Sequence, residues 1–574
     1  MTAPEIDIRL LGRVLDPHAG RGRDALLPVL LDVQRVFGWI PEIAAEEVAK
    51  RLMLPLSEVH GVVEFYAMLH DQPTAREVVR VCTSPSCSLA GAHETLEALC
   101  SHLGVKQGEP TPDGKWMVLS SPCLGLCEHA PAALLGNRPV APLRANLVEG
   151  ALQGGGDLPR GLLHGERRWL TSRCGVVDPS SLSHYEKHGG WEGLRQAVTL
   201  TPGEVIDLVK ASGLVGRGGA AFPTGLKWEG TARSEGQPKY VICNGDESEP
   251  GTFKDRVLME EDPFSILEGM IIASYAVGAS RGFWYIRGEY PRAVEVCQQA
   301  IRLAESAGFL GENILDKGFS FSVELRSGAG AYVCGEETAL FESIEGKRGF
   351  PRIKPPFPTT HGLFSKPTVI NNVETLANVP LILRMGVPAY RALGTEQSPG
   401  PKLFCLSGDV QQPGLYETGF GATLEELVFG MAGGIPEGRS LQAVLLGGAA
   451  GTFAAPDQLD VPLTFEGLRA AGLSLGSGVI LVFDDRRDLR QVLLELTEFF
   501  AEESCGKCYP CQLGTQRQYE ILRRVAQGKS LPGDAARLED VGWTMADASL
   551  CGLGQTAASA VLSALKHWPE LVAA

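Results

Sequence analysis

"ESCGKCYPC" (residues 503–511) places three cysteines within seven residues, and a fourth follows at Cys551 in "SLCGLG". A second quartet, Cys82, Cys87, Cys123 and Cys127, lies near the front. Whatever fold the chain adopts must gather each quartet from segments 35 or 39 residues apart. In a reducing compartment, clustered cysteines are metal ligands more often than disulfides. The first quartet reads C-x4-C and then C-x3-C, each pair following a predicted strand and separated mostly by small residues. Small residues let backbone N–H groups approach inorganic sulfide and thiolate, which suits an iron–sulfur cluster. The C-x2-C-x2-C run can cap three corners of a [4Fe–4S] cubane, with Cys551 on the fourth. Tetrahedral zinc also takes four thiolates and is the alternative for both quartets. Cys100, Cys174, Cys243, Cys297, Cys334 and Cys405 stand singly and read as small buried hydrophobes. His93 and His129 read as packing or surface residues beside thiols that already complete a set.

Iron–sulfur clusters pass single electrons, so two in one chain suggest a wire whose end must exchange electron pairs with a metabolite. Flavin is the usual converter. The net charge of −16 argues against nucleic acid as a partner. "MTAPEIDIRLLGRV" lacks the basic and apolar regions of an export signal. The longest apolar run, "GMIIASYAVGA" (269–279), is too short to span a bilayer. The expectation is a cytoplasmic protein with no direct membrane insertion.

The pattern along the 574 residues predicts several units. Residues 24–70 carry helical periodicity in "DALLPVLLDVQRVFG" and "SEVHGVVEFYAML". "EVVRVC" and "KWMVLS" read as strands flanking the helix "AGAHETLEALCSHLG", and "LQGGGDLPRG" (152–161) reads as a linker. From 165 to 395, strands such as "KYVIC" and "GFWYI" alternate with helices, which indicates an α/β sheet. Residues 400–485 hold short strands around one helix, "TLEELVFGMAG", and the chain is helical after 487.

The α/β region carries four polar, glycine-rich loops at strand-to-helix junctions, where ligands of such sheets bind. "GLVGRGGAAFPTGLKW" (213–228) offers glycines for close backbone approach to a phosphate, with Arg217 and Lys227 to offset its charge. It lacks the third glycine of G-x-G-x-x-G, so a standard dinucleotide fold is not supported. "NGDESEPGTFKDR" (244–256) brings acids that suit a solvated loop, a metal site, or sugar hydroxyls and a flavin edge. "GAGAYVCGEETALFESIEGKRG" (328–349) is a glycine turn with a helix from about Gly335 that could receive an anion. "KPPFP" (354–358) is a rigid loop with an aromatic, and Asn371 and Asn372 in "INNVETLANV" stand where capping is the plain reading.

Together these motifs and "ESCGKCYPC…LCGLG" resemble the NADH-oxidising module of respiratory complex I and its soluble relatives. Residues 1–150 are similar to the 24-kDa-type subunit, and residues 165–574 to the 51-kDa-type flavoprotein subunit, here fused. The resemblance implies a multidomain α/β chain: a helical hairpin (1–75), a thioredoxin-like [2Fe–2S] domain (76–152), a Rossmann-like FMN/NADH domain (165–395), a β-grasp-like domain (396–486) and a C-terminal four-helix bundle with a [4Fe–4S] cluster (487–574). It implies FMN binding through Gly216, Arg217, Gly218, Lys227, Asn244, Asp246, Glu247, Ser248, Tyr332, Gly335, Glu336, Asn371, Asn372 and Thr375. It implies that Phe222 and Phe357 stack on the adenine of NADH, and that Glu249, Glu337 and Lys354 contact its polar parts. The cubane ligands match Cys505, Cys508, Cys511 and Cys551, and the [2Fe–2S] ligands match Cys82, Cys87, Cys123 and Cys127. Gly245 departs from the alanine common in the family, and Gly230 stands where a second aromatic often follows "LKW", leaving one wall of the adenine clamp missing or supplied elsewhere.

The implied activity is a diaphorase. Hydride passes between NAD(H) and FMN, and single electrons pass through the clusters to or from a partner subunit bearing further Fe–S clusters. Fusion resembles both soluble NAD-reducing hydrogenases and NAD-dependent molybdenum or tungsten formate dehydrogenases, and the intact front quartet with the run "GGAAGTF…LGSGVILVFDD" resembles the β subunits of the latter. A complex I-like enzyme and a soluble NAD-reducing hydrogenase are the alternatives. A zinc-bound, flavin-free scaffold is the reading from another class.

Overall fold

A computed structural model of the chain describes residues 6–165 and 167–572. The opening residues of the expected hairpin, and part of the stretch weighed as an export signal, thus lie outside the described residues. Among the described residues, no helix is long and apolar enough to cross a membrane.

The front unit opens with helices Ile8–Leu15, Leu26–Phe37, Glu42–Leu52 and Leu56–Phe65. Apolar residues at helical spacing turn Leu26, Leu30 and Val33 inward, and Gly38, at φ 84°, ends the second helix in the left-handed conformation that glycine tolerates. A four-stranded sheet follows: β1 (Glu77–Cys82), β2 (Trp116–Ser121), β3 (Ala133–Leu135) and β4 (Arg138–Val140), in the order β2-β1-β3-β4. β1 and β2 are parallel, joined through helix Ala92–Leu103, and Cys82 ends β1 opposite Ser121.

The second sheet is fully parallel, in the order β8-β7-β6-β9: β6 (Tyr240–Gly245), β7 (Arg281–Ile286), β8 (Ser322–Ser327) and β9 (Thr368–Asn372). Its strands are apolar on both faces. Tyr240, Ile242, Phe283 and Tyr285 pack into one core, while Val241, Cys243, Trp284 and Ile286 pack into another. The first of these cores continues into the front helices and the C-terminal bundle, so both pack toward the same face of the sheet.

The third sheet has the order β13-β12-β14-β10-β11-β5. It contains β10 (Pro401–Gly408), β11 (Gly414–Gly419), β12 (Leu441–Leu446), β13 (Thr452–Ala454) and β14 (Val479–Asp484), plus β5 (Leu163–His164), a strand just beyond the glycine-rich linker. Glu417 in β11 then accepts the N–H groups of Trp169, Leu170 and Thr171, which fastens the linker exit to this sheet. The segment after residue 161 thus belongs to the third sheet before the chain enters the second. The helix predicted from "TLEELVFGMAG" is wound as a π-helix over Glu426–Met431, a departure from the regular helix its periodicity predicts. Helices Leu489–Glu503, Tyr509–Ala526, Asp534–Ala548, Gly552–Thr556 and Ser559–His567 complete the chain.

Candidate functional site

The glycine-rich motifs leave the C-terminal edge of the parallel sheet. β6 runs into "DESEPG", β8 into the glycine turn at 328–330, and β9 into helix Val373–Met385. Asn244, at the end of β6, donates to the Gly335 carbonyl (2.9 Å) and accepts from the Asp246 N–H, which ties the first two loops together. The loop at 216–222 is closed by the Gly216 N–H on the Phe222 carbonyl (2.9 Å). It is tied to β9's helix by the Arg217 N–H on Thr375 Oγ1 (2.8 Å). A Cβ at Gly218 would come 3.1 Å from Asn372 Cβ, and one at Gly335 would come 3.3 Å from the Asp246 carbonyl. The cleft walls therefore leave no slack for side chains at these glycines.

Several polar groups gather at this edge of the sheet. Asp246 Oδ2 is buried and has no protein partner among the described residues, and burial holds its carboxyl well above the usual range. Glu249 Oε2 accepts the Tyr332 hydroxyl (2.6 Å) and Oε1 accepts the Ala450 N–H (3.0 Å). Burial pushes Glu249 up to about 7, with those hydrogen bonds pulling the other way. Ser248 is buried beside Asp246. Glu336 caps helix Glu337–Ile344 through the Thr338 and Ala339 N–H groups. Lys354 bridges Glu336 (2.9 Å) and Glu337 (2.7 Å), and Lys227 reaches Glu337 (3.3 Å) and the Ile370 carbonyl (3.1 Å). Burial alone would raise Glu337, but the two lysines hold it below the usual carboxylate range. Phe222 and Phe357 are 52% and 57% exposed, with Lys227 Nζ 6.0 Å from the Phe222 ring centroid. At Gly230, an added Cβ would touch Thr359 at 3.5 Å, so this position packs beside the segment that carries Phe357.

Two side chains are not where their charge pointed. The Arg217 guanidinium turns into the interface with the third sheet, where it donates to the Pro399 carbonyl (2.9 Å) and lies 4.7 Å from the Phe420 ring centroid. Arg217 is buried there, and its Nε and Nη1 groups find no partner among the described residues. The Glu247 carboxylate accepts the Asp255 and Arg256 N–H groups (2.8 and 2.9 Å), so it caps helix Lys254–Glu261. Asn371 and Asn372 divide the work. Asn371 accepts from the Trp228 indole (2.9 Å), while Asn372 caps its helix toward Thr375 and donates to Asp255 (2.6 Å).

The "KDR" end of the acidic motif fans into three units, a pattern no linear signal reveals. Lys254, fully buried, pairs with Asp255 and Glu374, and Glu374 pairs in turn with Lys402 of β10. Asp255 orients Asn372. Arg256 donates to the Gly125 carbonyl in the front unit.

Both cysteine quartets converge. The Cys82 thiol contacts those of Cys87 and Cys123, and Cys123 Sγ lies 3.5 Å from Cys127 Sγ, all four buried. His129 stays outside, its ring on the Arg160 carbonyl. Cys505, Cys508, Cys511 and Cys551 line one pocket with Pro351 and Ser504, whose hydroxyl lies 3.4 Å from Cys511 Sγ. Burial pushes Cys511 up to about 12 and Cys551 to about 11, so as free thiols they would stay protonated; bound iron would take the proton's place. Tyr332 joins the two regions. Its hydroxyl meets Glu249, its N–H meets Glu503 Oε2 (2.9 Å), and its ring lies 5.1 Å from Phe499, in the helix that ends just before Cys505.

The glycine cradle with its unpartnered carboxylate fits a flavin, and the two all-sulfur donor sets fit iron–sulfur clusters. Comparison with known proteins agrees. Residues 209–381 match the Nuo51 FMN-binding domain, 13–154 the thioredoxin-like [2Fe–2S] ferredoxin, and 491–574 the NADH-ubiquinone oxidoreductase-F iron–sulfur binding region. The chain is 48% identical over 400 residues to the second F-type NADH-quinone oxidoreductase polypeptide of Rhizobium meliloti, covering 70% of this chain and 95% of that one. It is 36% identical over 568 residues to the alpha polypeptide of the NAD-reducing hydrogenase HoxS of Cupriavidus necator, covering 96% and 91%. A crystal structure of an NAD+-reducing [NiFe]-hydrogenase in the H2-reduced state superposes with a TM-score of 0.86 at 34% identity, covering 96% of this chain and 92% of that one. The zinc scaffold is thereby set aside: the chain belongs to the family of NADH-oxidising flavoproteins typified by the F-type polypeptide of NADH-quinone oxidoreductase, whose cofactors are FMN, NAD(H), a [2Fe–2S] and a [4Fe–4S] cluster.

Proposed function

We propose that the cleft above the parallel sheet exchanges electron pairs with NAD(H), and that the C-terminal quartet carries single electrons to or from a partner subunit. The observation that supports this best is Tyr332, one residue tied at once to the flavin-side Glu249 and to Glu503 at the threshold of the cubane cysteines. When bound, FMN supplies hydride exchange with the nicotinamide on one side and one-electron exchange with the clusters on the other.

The chain's own residues orient and exclude water. Gly216, Gly218 and Gly335 let backbone close on the flavin, and Asn244, Asp246, Ser248, Asn371, Asn372 and Thr375 set the loops that hold it. Arg217 and Glu247 serve by main chain and by capping rather than by charge. Phe222 and Phe357 offer exposed faces for the adenine. Glu337, kept ionised between Lys227 and Lys354, offers a carboxylate to the dinucleotide's hydroxyls, and Lys354 offers charge to its pyrophosphate. Glu249 presents a carboxyl that can hold or release a proton near neutrality. Cys82, Cys87, Cys123 and Cys127 ligate the [2Fe–2S] cluster, and Cys505, Cys508, Cys511 and Cys551 the [4Fe–4S] cluster.

For the partner, two readings have separate support. The complete front quartet, with Cys82 beside Cys87 and Cys123, supports the catalytic subunit of a molybdenum- or tungsten-dependent formate dehydrogenase, while the fusion of both units is shared with the HoxS alpha polypeptide and fits either reading. Likeness along nearly the whole chain to the HoxS alpha polypeptide supports a nickel–iron hydrogenase. Metal analysis of the complex isolated without oxygen through a tag on this chain decides. Molybdenum or tungsten beside iron carries the first reading, nickel the second, and iron alone a complex I-like assembly.

A further inference from the structure

The loop between Cys123 and Cys127 is held from outside its own unit. Gly125, midway along it, has φ 64° and lies so close to Tyr290 that a Cβ would fall 2.0 Å from the phenol oxygen. Its carbonyl accepts the Arg256 Nε–H at 2.7 Å. Arg256 is 2% exposed and pairs with Glu128, next to Cys127, and with Glu260 (3.1 Å). The same Tyr290 hydroxyl lies 3.1 Å from the Glu247 carboxylate, which caps the helix that carries Arg256. The Cys87 loop is also held from later units, by Ser86 against Ser407 (3.0 Å) and Ser88 against Glu495 (2.6 Å). Those contacts are neutral or acidic, whereas the Cys123–Cys127 loop has a cation hydrogen-bonded to its backbone. The nearby Arg287 guanidinium is engaged by Glu289 and the Glu247 carbonyl.

We propose that Arg256 is a positioning residue that makes the front cluster reducible by NADH. It fixes the C-x3-C loop and keeps a compensating positive charge at it. The inference rests on the front quartet holding the [2Fe–2S] cluster. Reduction adds one electron, hence one negative charge, to the cluster, and NADH supplies that electron through the flavin. A buried guanidinium nearby favours the reduced form. Without it, Glu128 loses its guanidinium partner beside the loop, Glu260 keeps only Arg292 (3.7 Å), and the reduced form is disfavoured.

The test is a redox titration of the purified chain, or of its complex, followed by the electron paramagnetic resonance of the [2Fe–2S] signal, with flavin and iron per chain measured in parallel. Arg256→Gln should lower the midpoint potential and shrink the fraction reduced by NADH. Glu128→Gln, which removes a negative charge at the same spot, should raise the midpoint. Arg256→Lys should fall between wild type and Arg256→Gln, and it substitutes for Arg256→Gln should the latter fail to assemble its cluster. Opposite shifts for the Arg256 and Glu128 variants support the proposal. An unchanged midpoint in the Arg256 variants, or shifts of the same sign at both positions, overturns it. A wild-type chain with no [2Fe–2S] signal would instead overturn the ligand assignment on which the inference rests.

Discussion

Replacing Glu249 by Gln removes one ionisable oxygen and little else, because Gln matches Glu in size. The wild-type carboxylate accepts from Tyr332 at 2.6 Å and from the Ala450 N–H at 3.0 Å. The Gln carbonyl can keep one of these bonds, and the Tyr332 hydroxyl can rotate to accept from the new NH₂ group. The loss is then one charge-assisted bond, about 1–2 kcal/mol. If that bond acts on the reacting complex, kcat/KM for NADH oxidation with an artificial acceptor falls roughly 5- to 30-fold. Flavin content should stay within about twofold of wild type on this scale, since the glycine cradle, Asn244 and Asn372 are untouched. The pH dependence gives a second readout. Burial raises Glu249 to about 7, so the wild-type side chain is protonated below that pH and ionised above it. Relative to an unfolded carboxyl near 4.5, the folded state binds its proton more tightly. Its stabilising share is therefore present at low pH and is lost as pH rises through about 7. The variant carries no such titration, so its rate profile between about pH 6 and 8 should lose the inflection near neutrality. Flavin lost in step with activity, or an inflection that persists in the variant, would refute the reasoning.

Cys508→Ser should abolish the [4Fe–4S] signal and lower iron to the content of a single [2Fe–2S] cluster while FMN is retained, measured as iron and flavin per chain. Lys254→Met should destabilise the fold by about 3–5 kcal/mol in chemical denaturation, because Asp255 and Glu374 would remain as buried carboxylates, with Lys402 left to pair with Glu374.

Much of the architecture was legible in local pattern. Both faces of β6 and β7 are covered, so "KYVIC" and "GFWYI" are near-continuous apolar runs, and the front helices carry their apolar stripes at regular spacing. The cysteine quartets were legible because thiols at fixed spacing have few other uses. What stayed hidden depends on distant partners. β5 is two residues long and has no periodicity of its own; it exists because β11 supplies the edge. Glu247 caps a helix that begins seven residues later, a span outside the capping-box pattern. Arg217 beside its glycines reads as a phosphate cation, yet Pro399 and Phe420, far along the chain, claim its guanidinium. Asp255, Arg256 and Glu503 carry no signal of their own. Their work appears only in the folded chain, with Asp255 setting Asn372 within its own unit, Arg256 holding the Gly125 loop of the front unit and Glu503 holding the Tyr332 backbone from the C-terminal helices.

The most direct test of the electron path is an anaerobic titration of the purified chain with NADH, followed by flavin absorbance and by electron paramagnetic resonance at low temperature. The account predicts bleaching of FMN together with the appearance of two signals, one from a [2Fe–2S] and one from a [4Fe–4S] cluster. A flavin that bleaches without any cluster signal, or a colourless protein holding zinc in place of iron, would contradict it.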